Sequence, residues 1–155
     1  MIWEELKSSL ILPELKAQSY EDIMKQLGSA LIQEGYAKES YVDALIQREK
    51  EFPTGLDVNG VGVAIPHTDI SHVNRAGIAI AVLRRPVTFV QMGTEDENVD
   101  VQLIFMLAVV NPNEHIDQLQ RILAIIQDTN VLKQLLNVKE TKQIIQIIKE
   151  KEQSL

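Results

Sequence analysis

Ile78-Ala-Ile-Ala-Val-Leu83 and Val99-Asp-Val-Gln-Leu-Ile-Phe-Met-Leu-Ala-Val-Val110 decide the fold class. Along much of both segments apolar residues fill successive rather than alternate positions, the pattern of strands covered on both faces by helices. Val61-Gly-Val-Ala-Ile65 and Val87 to Val90 read the same way, as short strands. Gln91 to Asn98, with its acidic triplet, reads as a solvated loop between the last two. The first sixty residues read as two helices divided by a turn. Ser19-Tyr-Glu-Asp22 is a helix start followed by Ile23, Leu27, Ala30 and Leu31 on one face, and Gly35 ends that helix. Ser40-Tyr-Val-Asp43 repeats the start signal ahead of Val42, Leu45 and Ile46, and Phe52-Pro53 stops the second helix. Beyond the strands, Asn111-Pro112-Asn113-Glu114 predicts a helix with Ile116, Leu119, Ile122, Leu123 and Ile126 on its core face. Two more helices are expected, Asn130 to Leu136 and Thr141 to Glu152, the latter burying Ile144, Ile145, Ile147 and Ile148. Helices, strands, then helices make an α/β domain built on one mixed sheet.

A chain of 155 residues without repeat or linker is expected to be a single domain over residues 1–155. Its formal charge of −7 disfavours broad attraction to nucleic acid or anionic lipid. The longest apolar runs, Ala76 to Leu83 and Leu103 to Val110, fall short of the ~20 residues needed to cross a bilayer. The acidic start Met1-Ile-Trp-Glu-Glu lacks a secretory signal, so no membrane insertion and a cytoplasmic location are expected. Absence of cysteine removes thiolate chemistry and disulfides. Candidate reactive groups then begin with the three histidines, His67, His72 and His115.

In Val63-Ala-Ile-Pro-His67-Thr-Asp69 a strand runs into proline and then presents a histidine. Pro66 fixes its own φ and holds Ile65 extended, which places His67 at a rigid strand exit, where α/β sheets commonly bind ligands. A neutral imidazole leaves one ring nitrogen free as a nucleophile. Spacing alone fits a structural histidine equally well. His115 falls near the N-terminal end of its helix, where unpaired N–H groups and the dipole favour an anion. Arg48, late on the second helix, offers a fork for phosphate oxygens. Taken singly, His115 and Arg48 are also ordinary surface residues.

Leu45-Ile-Gln-Arg48-Glu49, Phe52-Pro-Thr-Gly55, Val63-Ala-Ile-Pro-His67 and Asn111 to His115, in this order and spacing, resemble the enzyme IIA domains of the fructose/mannitol/galactitol class of the bacterial phosphoenolpyruvate-dependent sugar phosphotransferase system. The resemblance covers nearly the whole chain, as one EIIA type-2 domain over residues 1–155. Phe52-Pro-Thr-Gly55 and the segment from His67 to His72 look most like the galactitol-type branch. The resemblance implies a mixed sheet of about five strands with helices on both faces. It also implies that His67 accepts a phosphoryl group from phospho-HPr, on the tele nitrogen, and passes it to a cysteine of a IIB subunit that serves a membrane IIC subunit. Arg48 and His115 match the supporting positions, and the Thr68 hydroxyl is a further candidate to hold phosphate. No cofactor is implied.

Two rival readings lead elsewhere. His67-x-Asp69-x-x-His72 supplies three potential metal ligands for a hydrolase, although the spacing differs from His-Glu-x-x-His; His72 is otherwise a surface loop residue. A regulatory IIA-like domain would use the same histidine chemistry to control a protein partner. The sequence holds no Gly-rich phosphate loop of the Gly-x-x-x-x-Gly-Lys-Ser/Thr type, which argues against nucleotide binding.

Overall fold

The computed structural model describes residues 1–155. Two long strands dominate it, β4 (Gly77–Val90) and β5 (Asn98–Ala108), paired antiparallel from Gly77↔Ala108 to Val90↔Asn98. Three short strands complete the sheet: β1 (Ile11–Leu15), β2 (Gly55–Val58) and β3 (Val61–Ala64). The order is β1-β4-β5-β3-β2, with β1 parallel to β4, β3 parallel to β5, and β2 antiparallel to β3. This is the expected mixed α/β sheet of five strands.

Alternate residues of the central strands feed two separate cores. On one face Ala79, Ala81, Ile104, Met106 and Ala108 meet α1 (Tyr20–Gln33) and α2 (Tyr41–Glu51). On the other, Ile78, Ile80, Val82, Leu103, Phe105 and Leu107 meet α3 (Pro112–Ile126), α4 (Thr129–Asn137) and α5 (Thr141–Ser154). The double-sided burial explains why these strands carry almost no polar side chains in their middle. The Glu152 carboxylate accepts hydrogen bonds from the backbone N–H groups of Ile2 (3.0 Å) and Trp3 (2.7 Å), closing the N-terminal turn onto α5.

Several expectations change. β1 and β2 lie within the first sixty residues, which the apolar periodicity reads as helices and a turn alone. Both are edge strands: β1 tolerates Pro13 there, and β2 joins β3 through Asn59-Gly60, whose φ values of 52° and 88° suit a two-residue hairpin. Ile78 to Leu83 and Val87 to Val90 form one strand interrupted by an irregularity, not two. Ile116 is 57% exposed rather than in the core, and Ile145 and Ile147 are only half-buried. Ser19 caps α1 as expected, accepting from the Asp22 N–H at 3.1 Å. Ser40, by contrast, makes no cap bond, and its hydroxyl instead lies 2.8 Å from His72 Nδ1.

Two buried polar side chains fix α2. Tyr41, fully buried, donates its hydroxyl proton to the Leu107 carbonyl of β5 at 2.7 Å. Glu49, 6% exposed, accepts from the Thr54 backbone N–H (2.7 Å) and hydroxyl (2.8 Å), which bends the chain from α2 into β2. Burial pushes the Glu49 carboxyl up to about 7, against the lowering effect of the two Thr54 bonds.

Removing the hydroxyl in Tyr41→Phe leaves the Leu107 carbonyl unsatisfied. The expected loss is about 1–3 kcal/mol in urea unfolding, and an unchanged midpoint contradicts it. Because Glu49 is a stronger proton acceptor folded than unfolded, its contribution is full below its ordinary value of 4.5 and is lost as pH rises through about 7. Glu49→Gln should therefore flatten the decline in stability between roughly pH 5 and 8, on the order of 3 kcal/mol. A variant that keeps the parent's pH dependence would show that another group causes it.

Candidate functional site

Where β3 ends, Ile65 and Pro66 stay buried and the Pro66 carbonyl accepts the Leu107 N–H of β5 at 2.9 Å. His67 therefore leaves the sheet from a fixed point. Its Nδ1 lies 3.0 Å from the Ile65 carbonyl oxygen. A carbonyl can only accept, so this contact assigns the proton to Nδ1 and leaves the lone pair on Nε2. Burial lowers the His67 pKa, assisted by the positive charge of Arg48 and opposed by the Ile65 bond. The ring is thus held neutral at pH 7, in one tautomer.

The Asn111 side chain caps α3, accepting from the Asn113 N–H at 2.9 Å, and Pro112 occupies the first helical position. His115 follows one turn in, its own N–H bonded to the Asn111 carbonyl at 2.9 Å. Its ring reaches His67, with centroids 4.6 Å apart and planes tilted by 47°. Burial first, then His67 and Arg48, lower the His115 pKa. Its Nδ1 is buried without a hydrogen-bond partner.

Arg48 stands two turns along α2 from Tyr41, with its guanidinium 4.8 Å from the centre of the exposed Phe52 ring. It joins none of the three ion pairs in the chain, so its charge is not cancelled by a carboxylate in direct contact. Arg48 and Thr68 share the wall of an open cavity of about 480 Å³ with Ser40, Asp43 and His72. Thr68 is buried over most of its surface. On the far side of His115 lies a second cavity, of about 380 Å³, lined by Glu4, Glu5, Glu114 and Asp117. Burial raises the Glu5 pKa, with Glu114, Glu152 and Glu4 adding to the rise and the N-terminal ammonium opposing it. Arg48 is thus the cation nearest the histidine pair, in a cavity that Asp43 and Glu51 also line, while the cavity beyond His115 sets four carboxylates against Arg121 and the N-terminus.

Three chain segments far apart in sequence thus bring His67, His115 and Arg48 to one end of the sheet. His67, Asp69 and His72 do not form a metal site: no group of three His, Asp or Glu side chains is placed to hold an ion. His67 bonds Ile65, Asp69 accepts from the Ser71 N–H and hydroxyl, and His72 turns to Ser40. His72 is therefore half-buried and joins the loop after His67 to α2, rather than standing free on the surface. Sequence reasoning also missed Tyr41, Phe52 and the carboxylate of Glu49 as supports of Arg48. Glu49 and Phe52 lie inside the motifs already quoted, but only the fold shows what they touch.

No helix is long and apolar enough to cross a membrane. The family model described as "Phosphoenolpyruvate-dependent sugar phosphotransferase system, EIIA 2" matches residues 4–151. The galactitol-specific EIIA component of Escherichia coli K12 is 28% identical over 121 residues, covering 78% of this chain and 80% of the relative. Mannitol enzyme IIA of Escherichia coli, solved in complex with phosphorylated enzyme IIB, superposes with a TM-score of 0.78 at 24% identity, over 94% of this chain and 97% of that one. Nitrogen regulatory protein IIA-Ntr from Neisseria meningitidis gives a TM-score of 0.75 at 28% identity, over 95% and 98%. A strand exit that presents His67 to His115, on a fold shared with these proteins and under a match to almost the full chain, places it in the EIIA type-2 family of phosphotransferase-system components.

Proposed function

We propose that the chain is a cytoplasmic phosphocarrier that takes a phosphoryl group from phospho-HPr onto His67 and delivers it to a cysteine of a IIB subunit. The observation that carries this reading is the His67 ring itself, held by the Ile65 carbonyl through Nδ1 and faced by His115. The Nε2 lone pair attacks phosphorus while the bond from phosphorus to the donor's imidazole breaks, and the electron pair returns to that ring. Nδ1 keeps its proton throughout, so the Ile65 carbonyl steadies the charge that forms on the phosphorylated imidazole. Arg48 supplies the nearby positive charge for the equatorial oxygens. The His115 ring, packed beside His67, supplies a further donor, with Thr68 and nearby backbone N–H groups as additional contacts. In the second step the IIB thiolate attacks phosphorus and Nε2 leaves.

The kinship with the galactitol-specific component supports a galactitol-like transport system, with a membrane IIC subunit downstream of IIB. A second reading, in which phosphorylation controls a protein partner, is favoured by the likeness to IIA-Ntr. The two differ in the acceptor: a IIB cysteine in one, a regulated protein with no further phosphoryl transfer in the other.

Incubation with phosphoenolpyruvate, enzyme I and HPr should add one acid-labile, base-stable phosphate per chain. His67→Ala should carry none, and a persistent label on that variant would overturn the assignment. Arg48→Ala and His115→Ala should each slow transfer from phospho-HPr by roughly 100-fold while leaving the circular dichroism spectrum unchanged. Rates equal to the parent's would remove those two residues from the site.

A further inference from the structure

The chain is acidic overall, yet Lys16, Arg84 and Arg85 share the wall of one cavity of about 570 Å³ at the end of the sheet away from His67. Its size lies within the range of small-molecule sites. Gly77 begins β4 beside Ala108, at the His67 end, and Arg84 lies seven residues further on, roughly 20 Å along the strand. Leu15 of β1 pairs with Leu83 of β4, and Lys16 and Arg84, the residues that follow, reach the wall of the same cavity. Like charges on adjacent strands repel. None of the three belongs to an ion pair.

Backbone geometry brings the two arginines together. In a regular strand, successive side chains point to opposite faces, so Arg84 and Arg85 would diverge. Between the pairs Val82↔Leu103 and Val87↔Val101, however, five steps of β4 stand against two of β5. That bulge, which gives up ladder pairing, turns both arginines to the same cavity. The remaining wall comes from the chain entering α1: Ala17, Gln18 and Asp22. Asp22 is the one carboxylate there, and it already accepts the Gln18 N–H at 3.2 Å.

We propose that this cavity binds a small soluble phosphomonoester, its dianionic phosphate gripped by Arg84 and Arg85 and neutralised further by Lys16. Arginine forks match phosphate oxygens in pairs, and a dianion relieves the mutual repulsion of three adjacent cations. The proposal is independent of the role assigned to His67.

Amide spectra of the intact protein, titrated with glycerol 3-phosphate at constant ionic strength, test it. Shifts at Lys16, Gln18, Arg84 and Arg85 should saturate with a dissociation constant below about 1 mM. Arg84→Ala and Arg85→Ala should each weaken binding at least tenfold, and both residues are exposed, so the core stays intact. Arg48→Ala should leave these shifts unchanged, which separates this cavity from the His67 site. Arg84→Ala and Arg85→Ala should receive phosphoryl groups from HPr at the parent's rate when glycerol 3-phosphate is absent. Non-saturating shifts, shifts matched by chloride alone, unaltered affinity in both arginine variants, or binding only to vesicles of phosphatidylglycerol would each overturn the proposal.

Discussion

The backbone of one residue, Leu107 in β5, ties the site together. Its N–H bonds the Pro66 carbonyl just before His67, and its carbonyl accepts the buried Tyr41 hydroxyl of α2. The strand exit that carries His67 and the helix that carries Arg48 are thereby referenced to the same point of the central strand. β5 also leads, three residues beyond its end, into Asn111 and the cap that sets His115. Both bonds of Leu107 lie among buried residues, where a broken hydrogen bond leaves an orphaned group and costs more than one at the surface. Positional accuracy at the histidines follows from this shared anchor, and not from contacts between the functional residues.

Electrostatics then decide what the site can hold. Under the proposed function a chain of charge −7 would admit a phosphoryl group beside one cation free of ion pairs, Arg48, and two histidines whose burial favours the neutral form. In the proposed relay this weak grip is useful. Exchange between two phosphohistidines is nearly balanced in free energy, so a site that bound phosphate strongly would stall the second step.

Local rules read some of this from sequence and could not read the rest. Ile65-Pro66-His67 was legible because proline restricts its neighbours without help from the fold; Ser19, Gly35 and Asn111-Pro112 were legible as helix ends for equally local reasons. β1 was not, because Ile11-Leu-Pro-Glu-Leu15 becomes a strand only by pairing with β4. β2 had a signal, the Asn59-Gly60 turn between Val58 and Val61, which a search for hairpin turns would have found. Ser40 carried a sound capping pattern, yet its hydroxyl went to His72, thirty-two residues away. The Arg48–Glu49 pair marked the site by resemblance, while the inward turn of Glu49 toward Thr54 depended on tertiary packing. Sequence thus marked the candidate residues more readily than the groups that hold them in place.

The central claim is that the Ile65 carbonyl selects the reactive nitrogen of His67. Long-range proton–nitrogen correlation of the phosphorylated, nitrogen-15-labelled protein tests it most directly. The account predicts a phosphorus coupling to Nε2 of His67, with Nδ1 still protonated. Phosphorus on Nδ1, or on a ring nitrogen of His115, would contradict it.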